Sequence, residues 1–238
     1  MSISRNTAFN FIGVILPLAI SLITIPIYLK LIGEARYGVL AIAWLLLGYF
    51  GFFDLGLGRA TAQRIGSLRL GTMTQRAIAF WTAFSVNLGL GIIAGLIIWP
   101  VAHYIFGSAV TIDEDLRPEM LAAVSWLALS MPFATLSSVL SGSLIGREKF
   151  LDLNIISVIG SAMFQTLPLL AVILWGPDLR VIMPVVLLSR AFTLLALFSR
   201  CLHHVCPGHR IVFQRAEAIR LLKFGGWVTV SSIASPMM

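Results

Sequence analysis

The 238-residue chain is 58% hydrophobic, only 11% of its residues are charged, and its mean hydropathy is +0.95. A soluble domain carries about 25% charged residues, so this composition excludes a water-soluble fold and favours a membrane protein. The net charge of +7 comes without any RNA- or DNA-binding motif. We therefore expect the basic residues to contact anionic membrane lipid and no nucleic acid.

Charged residues are confined to the gaps between long apolar segments. A hydrocarbon core of about 30 Å needs about 20 apolar residues in helical form, and each segment in lipid must pair its own backbone polar groups. The segments are continuous and do not alternate, which indicates helices and not strands. In chain order, the predicted transmembrane helices cover residues 9–29, 37–57, 77–104, 120–145, 153–175, 181–199 and 224 onward. The sequence therefore predicts an all-α, polytopic transmembrane helix bundle.

These segments suggest three parts. We predict a six-helix transmembrane lobe over residues 1–205, a basic cytoplasmic linker over 206–222, and the start of a seventh helix over 223–238. The last segment is shorter than the length of about 20 residues that a crossing needs. We therefore expect the chain to be a fragment of a longer transporter or a truncated gene product.

The basic residues predict the orientation in the membrane. Twelve of the 17 Lys and Arg residues fall at the N-terminus and in alternate loops, and four fall in the other loops. Cytoplasmic loops carry the excess of Lys and Arg. The N-terminus is therefore predicted to be cytoplasmic and the acidic loop 113–119 to be outside. Cys201 and Cys206 lie on the predicted cytoplasmic side, where we expect reduced thiols.

Several sequence motifs point to a family. They are Asn6–Asn10 followed by Pro17 and Pro26, Leu31–Gly38, Gly48–Ala60 with its Phe-Asp-Leu-Gly-Leu-Gly core, Gly142–Phe150 with Gly-Arg-Glu-Lys-Phe, and Leu222–Pro236. Together they resemble the polysaccharide exporters and O-antigen flippases of the multidrug/oligosaccharidyl-lipid/polysaccharide (MOP) export superfamily. The resemblance runs along the whole chain.

The resemblance implies a fold and a function. Members of the family have two six-helix, MATE-like lobes around a V-shaped cavity that opens alternately to either side. They move undecaprenyl-diphosphate-linked oligosaccharides (O-antigen, capsule or exopolysaccharide units) across the bacterial inner membrane. This chain would then be the N-terminal lobe. Its expected partners are the lipid-linked oligosaccharide, membrane lipid, the missing C-terminal lobe and other polysaccharide assembly proteins.

Arg190 is the strongest candidate for a functional residue. It lies in the middle of a predicted span, where a charge costs about 2.5–3.5 kcal/mol and marks function by default. Its guanidinium fork suits diphosphate oxygens, and Thr193 lies one turn along on the same face. The alternative is a salt bridge to a carboxylate, either in this chain or in the missing lobe.

A polar face follows on the fifth span. Asn154, Ser157, Ser161 and Gln165 are spaced 3, 4 and 4 residues apart, which places them on one side of a helix. They are candidates to bind sugar hydroxyls in a cavity. The alternative is hydrogen bonding between helices, which we favour for Asn87 in the third span.

Asp54 and Arg59 are candidates for a cytoplasmic gate or a proton-coupling site, because both lie at the end of the second span beside Gly56 and Gly58. The alternative is an interfacial ion pair and helix terminus, since interfacial charges cost less than charges in the membrane centre.

No metal or cofactor is expected. Cysteine and histidine cluster in Cys201–His209, but the spacing matches no standard zinc site, so this segment is predicted to be a solvated loop. The sequence contains no nucleotide-binding loop and no enzyme motif. The alternatives are a multidrug or organic-cation exporter of the same superfamily, a membrane-embedded glycan polymerase or ligase, and a fragment without transport activity. The short outer loops disfavour the polymerase or ligase.

Overall fold

The computed structural model describes residues 3–49, 54–109, 114, 116–208 and 211–234, and its side chains outside 3–17, 42–49, 109 and 232–234. All regular secondary structure in these ranges is helical, which confirms the predicted all-α class. The helices are α1 (Ile3–Tyr49), α2 (Leu57–Ser67), α3 (Met73–Tyr104, continued by a π-helical turn at Ile105–Ala109), α4 (Arg117–Gly146), α5 (Phe150–Trp175), α6 (Leu179–His204) and α7 (Arg215–Ala234).

Five segments of the described chain are long and apolar enough to cross a membrane. They are Leu18–Ala41, Met73–Ser108, Arg117–Gly146, Phe150–Trp175 and Leu179–His204. The chain is therefore a multi-pass membrane protein. The predicted spans 77–104, 120–145, 153–175 and 181–199 all lie inside α3 to α6.

Helix α1 contains the first predicted span and most of the second. Gly33 interrupts its helical geometry with φ 79° and ψ 165°, in the left-handed half of backbone space that favours glycine. The break lies between the predicted spans. The predicted end of the second span at residue 57 was wrong, because α1 ends at Tyr49 and Leu57 begins α2.

Helix α2 was missed in the sequence, because it lies between the predicted spans 37–57 and 77–104, where no helix was expected. Leu57, Ala60 and Ile65 on one side are fully buried, while Arg59 is exposed. Leu57 and Ala60 pack with Ala83, Val139 and Leu221. An amphipathic helix of this kind mixes charge with apolar residues, so a search for uncharged segments overlooks it.

Helix α7 begins earlier than expected. It starts at Arg215 and not near 224, and its first turns bury Glu217, Ala218 and Leu221. The backbone N–H of Gln214 donates to Thr82 Oγ1 at 3.1 Å, which fixes the start of α7 to α3. The predicted linker over 206–222 is therefore helical from Arg215 onward.

The chain divides into two compact units. Unit 1 contains Met1–Gly48, Ile93–Met131 and Asn154–Thr193, and unit 2 contains Tyr49–Ile92, Pro132–Leu153 and Leu194–Met238. The three loops predicted to be outside belong to unit 1, and the long loops predicted to be cytoplasmic belong to unit 2. In unit 1, Arg36 donates to both carboxylate oxygens of Glu119 at 2.8 Å. The backbone N–H of Leu179 donates to the same carboxylate at 3.4 Å.

Candidate functional site

Arg190 lies in the middle of α6 and packs against α5. Its guanidinium carbon is 4.3 Å from the centroid of the Phe164 ring. Its Nε is buried and has no hydrogen-bond partner among the described residues. None of the ion pairs in that part of the chain includes Arg190. The carboxylate partner considered as the alternative is therefore not found among the described residues.

The stacking on Phe164 leaves the hydrogen-bonding capacity of Arg190 unused at Nε. A guanidinium has five N–H donors at its edge, whereas an aromatic ring contacts its flat face. The edge donors therefore stay directed away from the ring. A buried donor without a partner costs about 1–3 kcal/mol, so an oxygen ligand supplied from outside this unit would be stabilised here.

Thr193 lies one turn from Arg190, and its side chain packs against α5. Its hydroxyl donates to the Ser189 carbonyl oxygen at 3.0 Å. A Cβ at Gly160 would lie 2.8 Å from Thr193 Cγ2, so α5 and α6 are in close contact here because residue 160 is glycine. In this conformation Thr193 supports the α5–α6 contact that brings Arg190 over Phe164.

Gln165 joins α5 to α1. Its Oε1 accepts hydrogen bonds from Ser21 Oγ at 2.8 Å and from Thr24 Oγ1 at 3.3 Å. The hydroxyl of Tyr28, which is fully buried, donates to the Gln165 carbonyl oxygen at 2.9 Å. For Gln165 these contacts support bonding between helices over a role in lining a cavity.

The other members of the predicted polar face have different surroundings. Asn154 is half-buried near the start of α5 and makes a polar contact. Ser157 is exposed and Ser161 is half-buried. The structure therefore brings Arg190 and Thr193 against α5, and Gln165 against α1.

Asn87 of α3 is fully buried, and its side-chain amide has no hydrogen-bond partner among the described residues. The backbone carbonyl oxygen of Asn87 accepts a hydrogen bond from the Thr135 hydroxyl at 3.0 Å.

Asp54 starts α2. Its Oδ1 accepts from the Gly56 N–H at 2.7 Å, its Oδ2 accepts from the Gly58 N–H at 3.2 Å, and the Ser138 hydroxyl donates to the same Oδ2. The side chain is only 5% exposed. A carboxylate at a helix N-terminus is stabilised by the free N–H groups and by the helix dipole. These contacts support the helix-terminus interpretation of Asp54, while the other predicted gate residue, Arg59, is exposed on α2.

The cysteine and histidine segment is not the predicted solvated loop. Cys201 and Cys206 are free thiols and both are buried, and α6 continues through His204. Burial raises the pKa of the Cys206 thiol to about 11. Among the described residues no group of His, Cys, Asp and Glu side chains could hold a metal ion. His209 lies outside the described residues.

Sequence reasoning missed the partners that define these sites. Phe164 was not distinguished from other apolar residues, and Ser21, Thr24 and Tyr28 were not recognised as a polar face of α1. Their spacing of 3 and 4 residues was a usable signal, because such residues share one side of a helix.

The fold and the half-buried Arg190 define a multi-pass helical membrane protein with a charged residue inside a span. Its fold is similar to those of two solved transporters of the MOP superfamily. A MOP superfamily transporter from Pyrococcus furiosus has a TM-score of 0.68 at 15% identity, over 98% of this chain and 53% of the other. An outward-facing MATE family multidrug resistance transporter has a TM-score of 0.69 at 13% identity, over the same shares.

The chain belongs to the family of polysaccharide biosynthesis proteins, which matches residues 3–238. A Shigella flexneri protein named as a candidate O-antigen transporter is 28% identical over 249 residues, which cover 100% of this chain and 56% of that protein. The chain thus spans about half the length of the curated relative and solved structures that it matches.

Proposed function

We propose that this chain forms one lobe of a transporter, and not an enzyme, in bacterial polysaccharide biosynthesis. The transporter moves an undecaprenyl-diphosphate-linked oligosaccharide across the inner membrane by alternating access. The family membership supports a role in polysaccharide synthesis, the Shigella relative supports an O-antigen type of substrate, and the MOP fold supports transport.

Arg190 carries the proposal. A mid-membrane cation is costly, and no described carboxylate forms an ion pair with it. The diphosphate of a lipid-linked sugar would provide both the missing negative charge and acceptors for the edge N–H groups. Phe164 holds the guanidinium by its face, which fixes the plane in which those donors point. An organic cation would be repelled at the same place, so the drug-exporter alternative is disfavoured.

The test replaces Arg190 in the native gene. Arg190→Ala should abolish surface polysaccharide with membrane protein levels near normal, and Arg190→Lys should restore only part, because an ammonium lacks the planar fork. Arg200→Ala is the matched control, since Arg200 is exposed on the same helix. Full export by Arg190→Ala would contradict the proposal. Loss of the protein from the membrane would assign Arg190 to structure instead.

We also propose that the N-terminus and the loops of unit 2 are cytoplasmic. Thr74 and Gln214 in unit 2 and Glu114 in unit 1 are exposed. With Cys201 and Cys206 replaced by alanine, Thr74→Cys and Gln214→Cys should react with an impermeant maleimide only after the cells are opened. Glu114→Cys should react in intact cells. External labelling at position 74 would reverse the orientation.

A further inference from the structure

We propose that the turn between α4 and α5 binds the phosphate headgroup of an anionic glycerophospholipid. The site is a cavity of about 140 Å³ lined by Arg69, Gly146, Arg147, Glu148 and Lys149. It is called the basic cavity below. It belongs to unit 2 and is separate from Arg190, so the inference is independent of the transported substrate.

The backbone at the end of α4 builds the basic cavity. The Lys149 N–H donates to the Leu144 carbonyl at 2.9 Å, and the Glu148 N–H donates to the Ile145 carbonyl at 2.8 Å. With Glu148 at a φ of 58°, these bonds form the Schellman motif that ends a helix. A Cβ at Gly146 would lie 2.7 Å from the Ala62 carbonyl oxygen, so α4 ends in close contact with α2. The turn therefore presents Arg147 and Lys149 beside Arg69, which follows α2.

The charges around the basic cavity do not balance. Three of its lining residues are cations, and the single carboxylate, Glu148, is already paired with Arg69 at 2.6 Å. Arg147 has a buried Nε without a hydrogen-bond partner among the described residues. Burial, followed by the positive charges of Arg76 and Arg69, lowers the pKa of Arg147, and the Glu148 carboxylate opposes this only in part.

Arg76 adds a fourth positive charge behind the basic cavity. It is only 8% exposed, its Nη1 donates to the Arg69 carbonyl at 3.3 Å, and its buried Nε has no partner in the described chain. Buried donors are normally hydrogen-bonded. A bound oxyanion would reduce the repulsion among these cations and accept from the unpaired donors.

The surroundings favour a lipid over a soluble anion. Ile145, Phe150 and Leu151 flank the turn with exposed apolar side chains, and Leu70, next to Arg69, is 99% exposed. The turn lies between the end of one candidate span at Gly146 and the start of the next at Phe150, the depth at which headgroups lie. Basic pockets between transmembrane helices are typical sites for anionic headgroups.

The size of the basic cavity suits a phosphate group. Its volume of about 140 Å³ is well above the roughly 10–15 Å³ that holds one water. The acyl chains of a bound phospholipid would extend over the exposed apolar side chains.

Native mass spectrometry of the full-length protein in detergent tests the proposal, with phosphatidylglycerol and phosphatidylcholine added in turn. Phosphatidylglycerol should give the more abundant adduct. Because one basic residue near a membrane surface contributes about fivefold in affinity for anionic lipid, Arg147→Gln and Lys149→Gln should each weaken this adduct by about that factor. The matched control is Arg215→Gln, which removes an exposed charge of the same unit outside the cavity.

Three results would overturn the proposal. They are equal binding of the two lipids, an equal loss of the adduct in Arg215→Gln, and an unchanged adduct in Arg147→Gln. Inorganic phosphate is added as a competitor. If it displaces phosphatidylglycerol at millimolar concentration, the basic cavity takes free phosphate and not a lipid. Circular dichroism and the elution profile of each variant show that the fold is kept. If Arg147→Gln misfolds, the adduct of Lys149→Gln decides, and an unchanged adduct there also overturns the proposal.

Discussion

Asp54 in unit 2 and Arg190 in unit 1 both carry buried polar atoms, but their hydrogen bonding differs. In unit 2 the carboxylate of Asp54 accepts from two backbone N–H groups and from Ser138. In unit 1 the guanidinium of Arg190 contacts an aromatic ring and has a buried donor with no partner among the described residues. A charge whose bonds are complete is part of the structure, whereas one with unused donors is available for a ligand.

Helices inside each unit meet through two kinds of contact. Glycines allow a close approach, as at Gly91 against Pro132 in unit 2 and at Gly160 against Thr193 in unit 1. Polar side chains join α1 to α5 in unit 1 through Gln165. We expect substitutions at the close glycine contacts to reduce stability more than substitutions at the polar α1–α5 contact.

The largest effect on stability is expected at Asp54. Asp54→Ala would leave the N–H groups of Gly56 and Gly58 and the Ser138 hydroxyl without their acceptor, and each unsatisfied buried donor costs about 1–3 kcal/mol. The protein should be depleted from the membrane and should lose its monodisperse elution profile at lower temperature. The depletion is measured as the amount of protein in isolated membranes, and the elution profile by gel filtration of the heated, detergent-solubilised protein.

Asp54→Asn separates the structural role from a gate or coupling role. The amide keeps one acceptor oxygen, so its stability should lie between those of the native protein and Asp54→Ala. Export per molecule in the membrane should be unchanged. An Asn variant with normal membrane levels and no export would instead establish Asp54 as a coupling residue, and would end the contrast with Arg190.

The next effect is expected at Gly91. A Cβ at this position would lie 2.6 Å from Pro132 Cα and would also overlap the Thr135 hydroxyl. Overpacking of this kind costs about 1–3 kcal/mol, so Gly91→Ala should lower the thermal midpoint measured in detergent. The matched control is Gly89→Ala two residues earlier, where no atom lies within 4 Å of the added Cβ. Equal midpoints for the two variants would show that α3 and α4 separate easily here.

The sequence predicted what depends on local composition. Uncharged segments long enough to span a bilayer indicated α3 to α6, and the position of Arg190 within one of them was visible directly. It did not predict α2, because Arg59 and Arg64 interrupt the apolar run along the sequence, and only the tertiary contacts of Leu57 and Ala60 show that one side of the helix is buried.

Contacts between distant residues could not be predicted. Ser138 is 84 residues from Asp54, and Ser21 is 144 residues from Gln165. Asp54 and Gln165 were identified in the sequence as candidates, but their partners depend on how the helices pack. The period of a helix shows which residues share a face, but not which neighbouring helix that face meets. The choice between a cavity and a bond between helices was therefore left open for Gln165.

The smallest effect is expected at Gln165. Gln165→Leu removes the acceptor of Ser21 and Thr24, but both hydroxyls can turn to carbonyls of their own helix, as Thr24 does toward Ser21 at 3.3 Å. Hydrogen bonds between membrane helices contribute about 0.6 kcal/mol each, so the thermal midpoint should fall slightly and export should be nearly kept. Thr166→Val is the matched control, because the Thr166 hydroxyl bonds to the Ala162 carbonyl of its own helix at 2.8 Å. If Gln165→Leu kept its stability and lost export, Gln165 would contact the substrate, and the polar side chains of unit 1 would form a binding surface together with Arg190.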